Sequence, residues 1–245
     1  MLSLRTITVN VADKTVLNSV SMDFVLGKNY CLLGKNGSGK SSLALTLMGH
    51  PAYALLDGEI ILDGEPIHDL PPHERAQRGI FLAFQSIPEI PGVKLFEFLR
   101  TIYNTAHNVQ ESFVSFKKII VPMVMDLSID KDFLRRDLNV GFSGGERRKI
   151  EILQLKLLKP KYIILDEVDS GLDVDAFKAV AQLLQSLVSP DTTFIIVTHY
   201  FSVLTYVRVD EVFVLDAGCL VEHGGPEIID RVQVEGFGRD DSLSP

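Results

Sequence analysis

YCLLGKNGSGKSS, residues 30–42, passes from a short apolar run through a glycine-rich turn to a lysine and two serines. Tyr30 to Leu33 has the pattern of a buried strand and Ser42 to Met48 that of a helix. Gly34 to Ser41 is therefore a strand-to-helix loop of the form G-x-x-x-x-G-K-[ST]. Gly34, Gly37 and Gly39 let the backbone curl so that N–H groups face one concavity at the positive end of the helix, where a phosphate chain fits. The candidate phosphate contacts are Gly34, Lys35, Asn36, Gly37, Ser38, Gly39, Lys40, Ser41 and Ser42. Lys40 is placed to reach the terminal phosphates and the Ser41 hydroxyl to bind Mg²⁺, which implies a Mg-nucleoside triphosphate. With glycine at about 7% of residues, such a pattern arises by chance in roughly one chain of this length in a hundred.

Of the 245 residues, 46% are hydrophobic, enough for a sizeable core. Arg and Lys number 24 against 32 Asp and Glu, and the net charge of -8 argues against nucleic-acid binding as the main activity. No apolar run of about 18 residues and no charged-then-apolar leader occurs, so a cytoplasmic chain without membrane insertion is expected. Cys31 and Cys219 are isolated and read as a core residue and a bystander. His68 and His73 flank a proline-rich loop and read as solvated.

Leu2 to Val11 and Val16 to Phe24 alternate apolar and polar residues around a turn at Ala12 to Lys14, the pattern of an antiparallel hairpin. Gly58 to Leu62 and Glu65 to Ile67, joined by Asp63-Gly64, read as a second small hairpin. Pro71 to Gln77 reads as a short helix with proline at its start, leading into a strand over Ile80 to Phe84. From Ser86 to Leu158 the character changes: Leu95–Thr105, Phe113–Met125 and Glu146–Leu157 have helical spacing with no strand of comparable strength between them. Strand patterns resume at Tyr162–Leu165, Phe194–Val197 and Val212–Leu215, with a helix over Asp175–Leu187. Buried strands alternating with helices predict an α/β fold with a mainly parallel sheet. The expected organisation is one domain over residues 1–245. It comprises a nucleotide-binding core (1–85 and 159–235), an inserted helical subdomain (86–158) and a polar tail (236–245) expected to be disordered.

Ligands of such sheets bind at the carboxyl ends of the strands. One strand delivers Asp166 and Glu167 there, the first suited to hold Mg²⁺ and the second to polarise an attacking water. The plain alternative is two acids ending a strand in solvent. Gln85 follows the strand Ile80 to Phe84 as a candidate ligand to Mg²⁺ or water. Thr198 and His199 end another strand; His199 is a candidate γ-phosphate contact, although a lone histidine there is more often structural. Ser143-Gly144-Gly145-Glu146 is locally a capping box that starts a helix. Two glycines in its first turn cost helix stability and leave exposed N–H groups approachable, a second anion site. The phosphate loop already has its own helix terminus, so this one can serve the nucleotide of another molecule.

GKNGSGKS (34–41), Gln85 after a strand, NVGFSGGE (139–146), YIILDE (162–167), DSGLD (169–173) and Thr198-His199 together resemble ABC-type ATPases in order and spacing, over nearly the whole chain. The resemblance implies an ATP hydrolase whose two copies sandwich two ATP molecules head to tail, with an antiparallel β layer and a helical subdomain added to the core. Ser143, Gly144 and Gly145 of one copy would then face the γ-phosphate held by Lys40 of the other. Residues 170–173 would lie along the interface and His199 beside the γ-phosphate. FLAFQSIPEIPGV (81–93), the phenylalanine before SGGE and LDEVDSGLDVDA (165–176) are similar to the SufC-like group, which powers iron-sulfur cluster assembly. That implies SufB/SufD-like scaffold proteins docked on the helical subdomain, with ATP and Mg²⁺ as cofactors. The alternative is the nucleotide-binding subunit of an ABC membrane transporter. A chromosome-maintenance or translation-factor ATPase is disfavoured by the single ATPase unit and the acidic balance. The chain departs from common ABC patterns in having Val11 and Ala12 where many place an adenine-stacking aromatic, Lys35 where proline is usual, and Ser42 for threonine. No motif maps onto Ala106 to Asp137, which is expected to carry partner specificity.

Overall fold

The computed structural model describes residues 1–168, 172–198 and 201–237. β1 (Leu2–Val11) and β2 (Lys14–Phe24) form the antiparallel hairpin read from their alternation. The alternation slips once: Leu2 and Leu4, then Ile7 and Val9, are buried. A bulge around Thr6, whose φ is +46°, lets one face remain apolar across the slip. β3 (Tyr30–Leu33) precedes the phosphate loop and α1 (Lys40–Met48) follows it. β4 (Tyr53–Leu62) pairs along β1, and β5 (Glu65–Pro66) completes a layer of order β2-β1-β4-β5 among the described residues. β4 starts five residues before the expected Gly58, because Gly58 is a bulge inside the strand rather than its start. Its φ is +86°, and a Cβ there would lie 2.3 Å from the Arg5 carbonyl oxygen.

α2 (Pro72–Gln77) leads into β6 (Ile80–Ala83) as expected. A short ribbon of β7 (Ile90–Lys94), and β8 farther along the chain, was not expected, since every residue of β7 is exposed and no alternation marks it. α3 (Leu95–His107), α4 (Phe113–Asp126), a 3₁₀ turn at Lys131–Arg135, β8 (Asp137–Leu138) and α5 (Gly144–Leu158) follow. The chain then returns to the sheet through β9 (Tyr162–Asp166), α6 (Val174–Gln185), β10 (Thr193–Val197), β11 (Glu211–Asp216), β12 (Cys219–Gly224) and α7 (Glu227–Glu235). β12 and α7 were also missed by the sequence reading. The turn between β11 and β12, Ala217-Gly218, has both φ values positive, the geometry of a tight hairpin turn.

The second sheet has the order β12-β11-β3-β10-β9-β6 among the described residues, parallel except for β12. Successive residues of its central strands face opposite ways. Tyr30, Leu32, Tyr162, Ile164, Ile195 and Val197 pack with α1 and the antiparallel layer. Cys31, Leu33, Ile163, Leu165, Phe194 and Ile196 pack with the helices of the other face. Both faces being covered explains why these strands read as unbroken apolar runs. Burial pushes the Cys31 thiol up to about 12, so it stays protonated in the core. Among the described residues, no helix is long and apolar enough to cross a membrane.

Candidate functional site

The carboxyl end of β3 runs into the phosphate loop, and two glycines there are demanded by geometry. A Cβ on Gly34 would meet the Leu215 carbonyl oxygen at 2.3 Å and Ser38 Oγ at 2.5 Å. Gly37 has open space around it, but its φ of +78° disfavours any other residue. Gly39 is the N-cap of α1 and offers no side-chain acceptor, so the first N–H groups of the helix are left for an anion. Lys40 is buried and folds back on the loop, its Nζ donating to the carbonyl oxygens of Gly34 (2.7 Å) and Lys35 (3.0 Å). Desolvation pulls its pKa below the ordinary lysine value, opposed by the nearby carboxylates of Glu167 and Asp166.

β9 carries the acids to the same place. Ser41 Oγ donates to Asp166 Oδ1 at 3.2 Å, and Gln85 Nε2 donates to Glu167 Oε2. Asp166 is buried, and desolvation raises its pKa; the Ser41 hydrogen bond pulls it down, while neighbouring Glu167 raises it further. Glu167 leaves the strand with a φ of +48°, its N–H bonded to the Val197 carbonyl oxygen at 2.9 Å. A hydroxyl, a carboxylate and an amide group gathered beside a phosphate loop are hard oxygen donors. They fit Mg²⁺, which takes one or two carboxylates and fills its octahedron with phosphate oxygens and water.

Ser41, Gln85 and Glu167 line a cleft of about 700 Å³, while buried Asp166 lies behind Ser41 and is not among its lining residues. From the loop, Asn36, Gly37, Gly39, Lys40, Ser41 and Ser42 line it, whereas Gly34, Lys35 and Ser38 are not among its lining residues. Lys35 is exposed. Ser38 is buried and ties the loop to the β11–β12 turn, its carbonyl accepting from Gly218 N–H at 2.9 Å. Lys14, Thr15, Val16, Ala217 and Gly218 complete its wall. None of these was foreseen, and the Ala-Gly turn after a strand was the available signal. Among the described residues, no aromatic side chain lines the cleft.

Ser143 does cap α5: its Oγ accepts from Glu146 N–H at 3.3 Å, and Glu146 Oε2 accepts from Ser143 N–H at 2.7 Å. Ser143 and Gly144 are exposed, and neither they nor Gly145 are among the cleft's lining residues. Gly145 has a packing reason of its own, since a Cβ there would approach Ala176 Cβ of α6 to 3.2 Å. Asp173 caps α6 through Ala176 N–H at 2.8 Å. His199 and residues 169–171 lie outside the described residues.

The ABC transporter family matches residues 17–170. SufC of Escherichia coli (strain K12), named as a probable ATP-dependent transporter, is 40% identical over 97% of this chain and 98% of its own length. The iron-sulfur cluster assembly protein SufC of Plasmodium falciparum (isolate 3D7) is 37% identical over 93% of this chain and 67% of its own length. Among solved structures, the dimeric post-hydrolysis state of the ATP-binding cassette MJ0796 bound to ADP and Pi has a TM-score of 0.78 at 21% identity. It covers 92% of this chain and 98% of that chain. A nucleotide-free ATP-binding cassette from an ABC transporter has a TM-score of 0.76 at 22% identity, covering 98% and 99%.

Proposed function

The chain belongs to the ABC transporter family of ATPases, and from that premise we propose that it is the Mg-dependent, SufC-like ATPase subunit of a cytoplasmic iron-sulfur cluster assembly machine. Two copies close on ATP and separate after hydrolysis, and the closure is passed to SufB/SufD-like scaffold proteins. In this reading residues 1–85 and 159–235 form the nucleotide-binding core. Residues 86–158 form the arm that meets the scaffold.

One observation carries the catalytic part: the pairs Ser41–Asp166 and Gln85–Glu167 stand together beside an uncapped helix start. Ser41, Asp166 and Gln85 would hold Mg²⁺, which when bound neutralises phosphate charge. The N–H groups of the loop and α1 hold the β- and γ-phosphates, and Lys40 leaves the loop carbonyls to meet them. Glu167, held by Gln85, orients the attacking water and accepts its proton; His199 contacts the γ-phosphate. Ser143, Gly144 and Gly145 act on the nucleotide of the second copy. No covalent protein intermediate forms. Exposed Phe113, Val114 and Met125 on α4 support an arm that docks partners.

The test is an affinity capture of tagged Glu167→Gln chain with ATP and Mg²⁺. This variant is expected to bind ATP and lose at least 99% of turnover. Retained scaffold proteins that bind iron and sulfide on anaerobic reconstitution are the expected result. Retained polytopic membrane proteins would move the assignment to a transporter, and wild-type turnover in the variant would remove Glu167 from its role.

A further inference from the structure

The segment after β6, which carries Gln85, is gripped from the stretch that begins α5. Arg148 Nη1 donates to the Phe84 carbonyl oxygen at 2.7 Å and Nη2 to that of Gln85 at 3.0 Å. Nη1 also donates to Glu151 Oε2 at 2.7 Å, and the Glu151 carboxylate accepts from the Phe84 N–H. The two charged side chains are only 4% and 8% exposed. Farther along the segment, Asn139 Nδ2 donates to the Pro88 carbonyl oxygen at 2.9 Å, and Arg147 pairs with Glu89. Successive carbonyls of one loop are thus held by side chains of one stretch, 139–148.

We infer that Arg148 is a positioning residue: by holding the carbonyls of Phe84 and Gln85 it aims the Gln85 side chain at Glu167. The inference rests on the proposed function only for what Gln85 and Glu167 do. A buried ion pair is no efficient source of stability, since an apolar pair of similar volume serves as well. What the guanidinium fork adds is direction: bonds to two consecutive carbonyls fix the Gln85 peptide plane and with it the direction of its side chain.

The experiment is a mutant cycle with Gln85→Ala. The variant Arg148→Met/Glu151→Leu removes both charges and strands neither. Its kcat is expected to fall about tenfold, with KM for ATP within twofold of wild type. In the Gln85→Ala background the same change is expected to lower kcat less than twofold, since nothing is left to position. Equal losses in both backgrounds overturn the inference, because a structural role would act on either. Arg148→Lys, which keeps a cation on Glu151, is expected to recover at least a third of wild-type kcat. If the doubly apolar variant gives no cooperative melting transition, the cycle is read with Arg148→Lys, where additivity overturns the inference and non-additivity supports it. Hydrogen exchange of residues 84–89 in the nucleotide-free chain is the readout independent of turnover. It is expected to quicken about tenfold in Arg148→Met/Glu151→Leu with the interior of α5 unchanged. A wild-type chain without ATPase activity would defeat the proposed function alone, whereas unchanged exchange at 84–89 would defeat this tie.

Discussion

Asp166 holds the least comfortable charge among the described carboxylates at the site. Its pKa is raised, chiefly by burial, so the neutral acid is favoured in the folded chain relative to the unfolded one. A raised folded pKa means that the stability gained below the unfolded value is lost as pH rises through the folded one. The nucleotide-free chain at neutral pH therefore carries a penalty that Asp166→Asn removes. The variant is expected to melt about 3 °C higher than wild type at pH 8, the shift that ~1 kcal/mol gives a chain of this size. The gap should shrink toward pH 4, and thermal shift should show no Mg²⁺-dependent gain in the presence of ATP. A variant less stable than wild type at pH 8 would show that burial is not the governing cause. That Lys40, Ser41, Asp166 and Glu167 come together was legible because each holds a fixed spacing to a strand end or to the glycine-rich loop. Arg148 was not, since an arginine in a helix with charged neighbours reads as a solvated face until the fold shows it buried.

The same blindness affects α2, which was placed correctly while its purpose was not. Arg75 is buried and sends its guanidinium to the carbonyls of Thr46 (2.8 Å) and Leu47 (2.9 Å) at the end of α1. It also bonds those of His68 (2.7 Å) and Leu70 (2.9 Å). The last carbonyls of a helix lack intrahelical partners, and α1 has no basic residue in its own last turn. Arg75 supplies the cation across space, and Gly49 yields the room, since a Cβ there would lie 2.7 Å from Arg75 Nε. Arg75→Met is expected to lower stability by about 3 kcal/mol in urea unfolding, because it leaves buried carbonyls unmet. A loss below about 1 kcal/mol would mean that water replaces the guanidinium. Strand β4 teaches the converse: its first half, Tyr-Ala-Leu-Leu-Asp, alternates only between half-buried and exposed and has no apolar-polar alternation in its sequence, so only pairing with β1 reveals it.

For the molecule as a whole, the capped start of α5 does not line its own cleft and offers an exposed Ser-Gly pair. On the proposed reading, Glu167→Gln should run as a dimer in light scattering with ATP and Mg²⁺ and as a monomer without them. Adding Ser143→Arg should weaken that dimer at least tenfold without lowering ATP affinity in the monomer. ATP-bound dimers untouched by Ser143→Arg would remove this helix start from the interface. The ABC ATPase fold itself was readable in the chain, because phosphate chemistry demands particular residues at particular spacings and a doubly covered parallel sheet demands apolar runs. Sequence by itself therefore determined the α/β class, the glycine-rich strand-to-helix loop and the two acids at the end of β9. Only the tertiary structure decided what closes the cleft wall at Val16 and Gly218, where β12 lies, and which arginines are buried. Those outcomes depend on contacts between segments far apart in the chain, and a residue's burial, unlike its spacing, is a property of its neighbours in space.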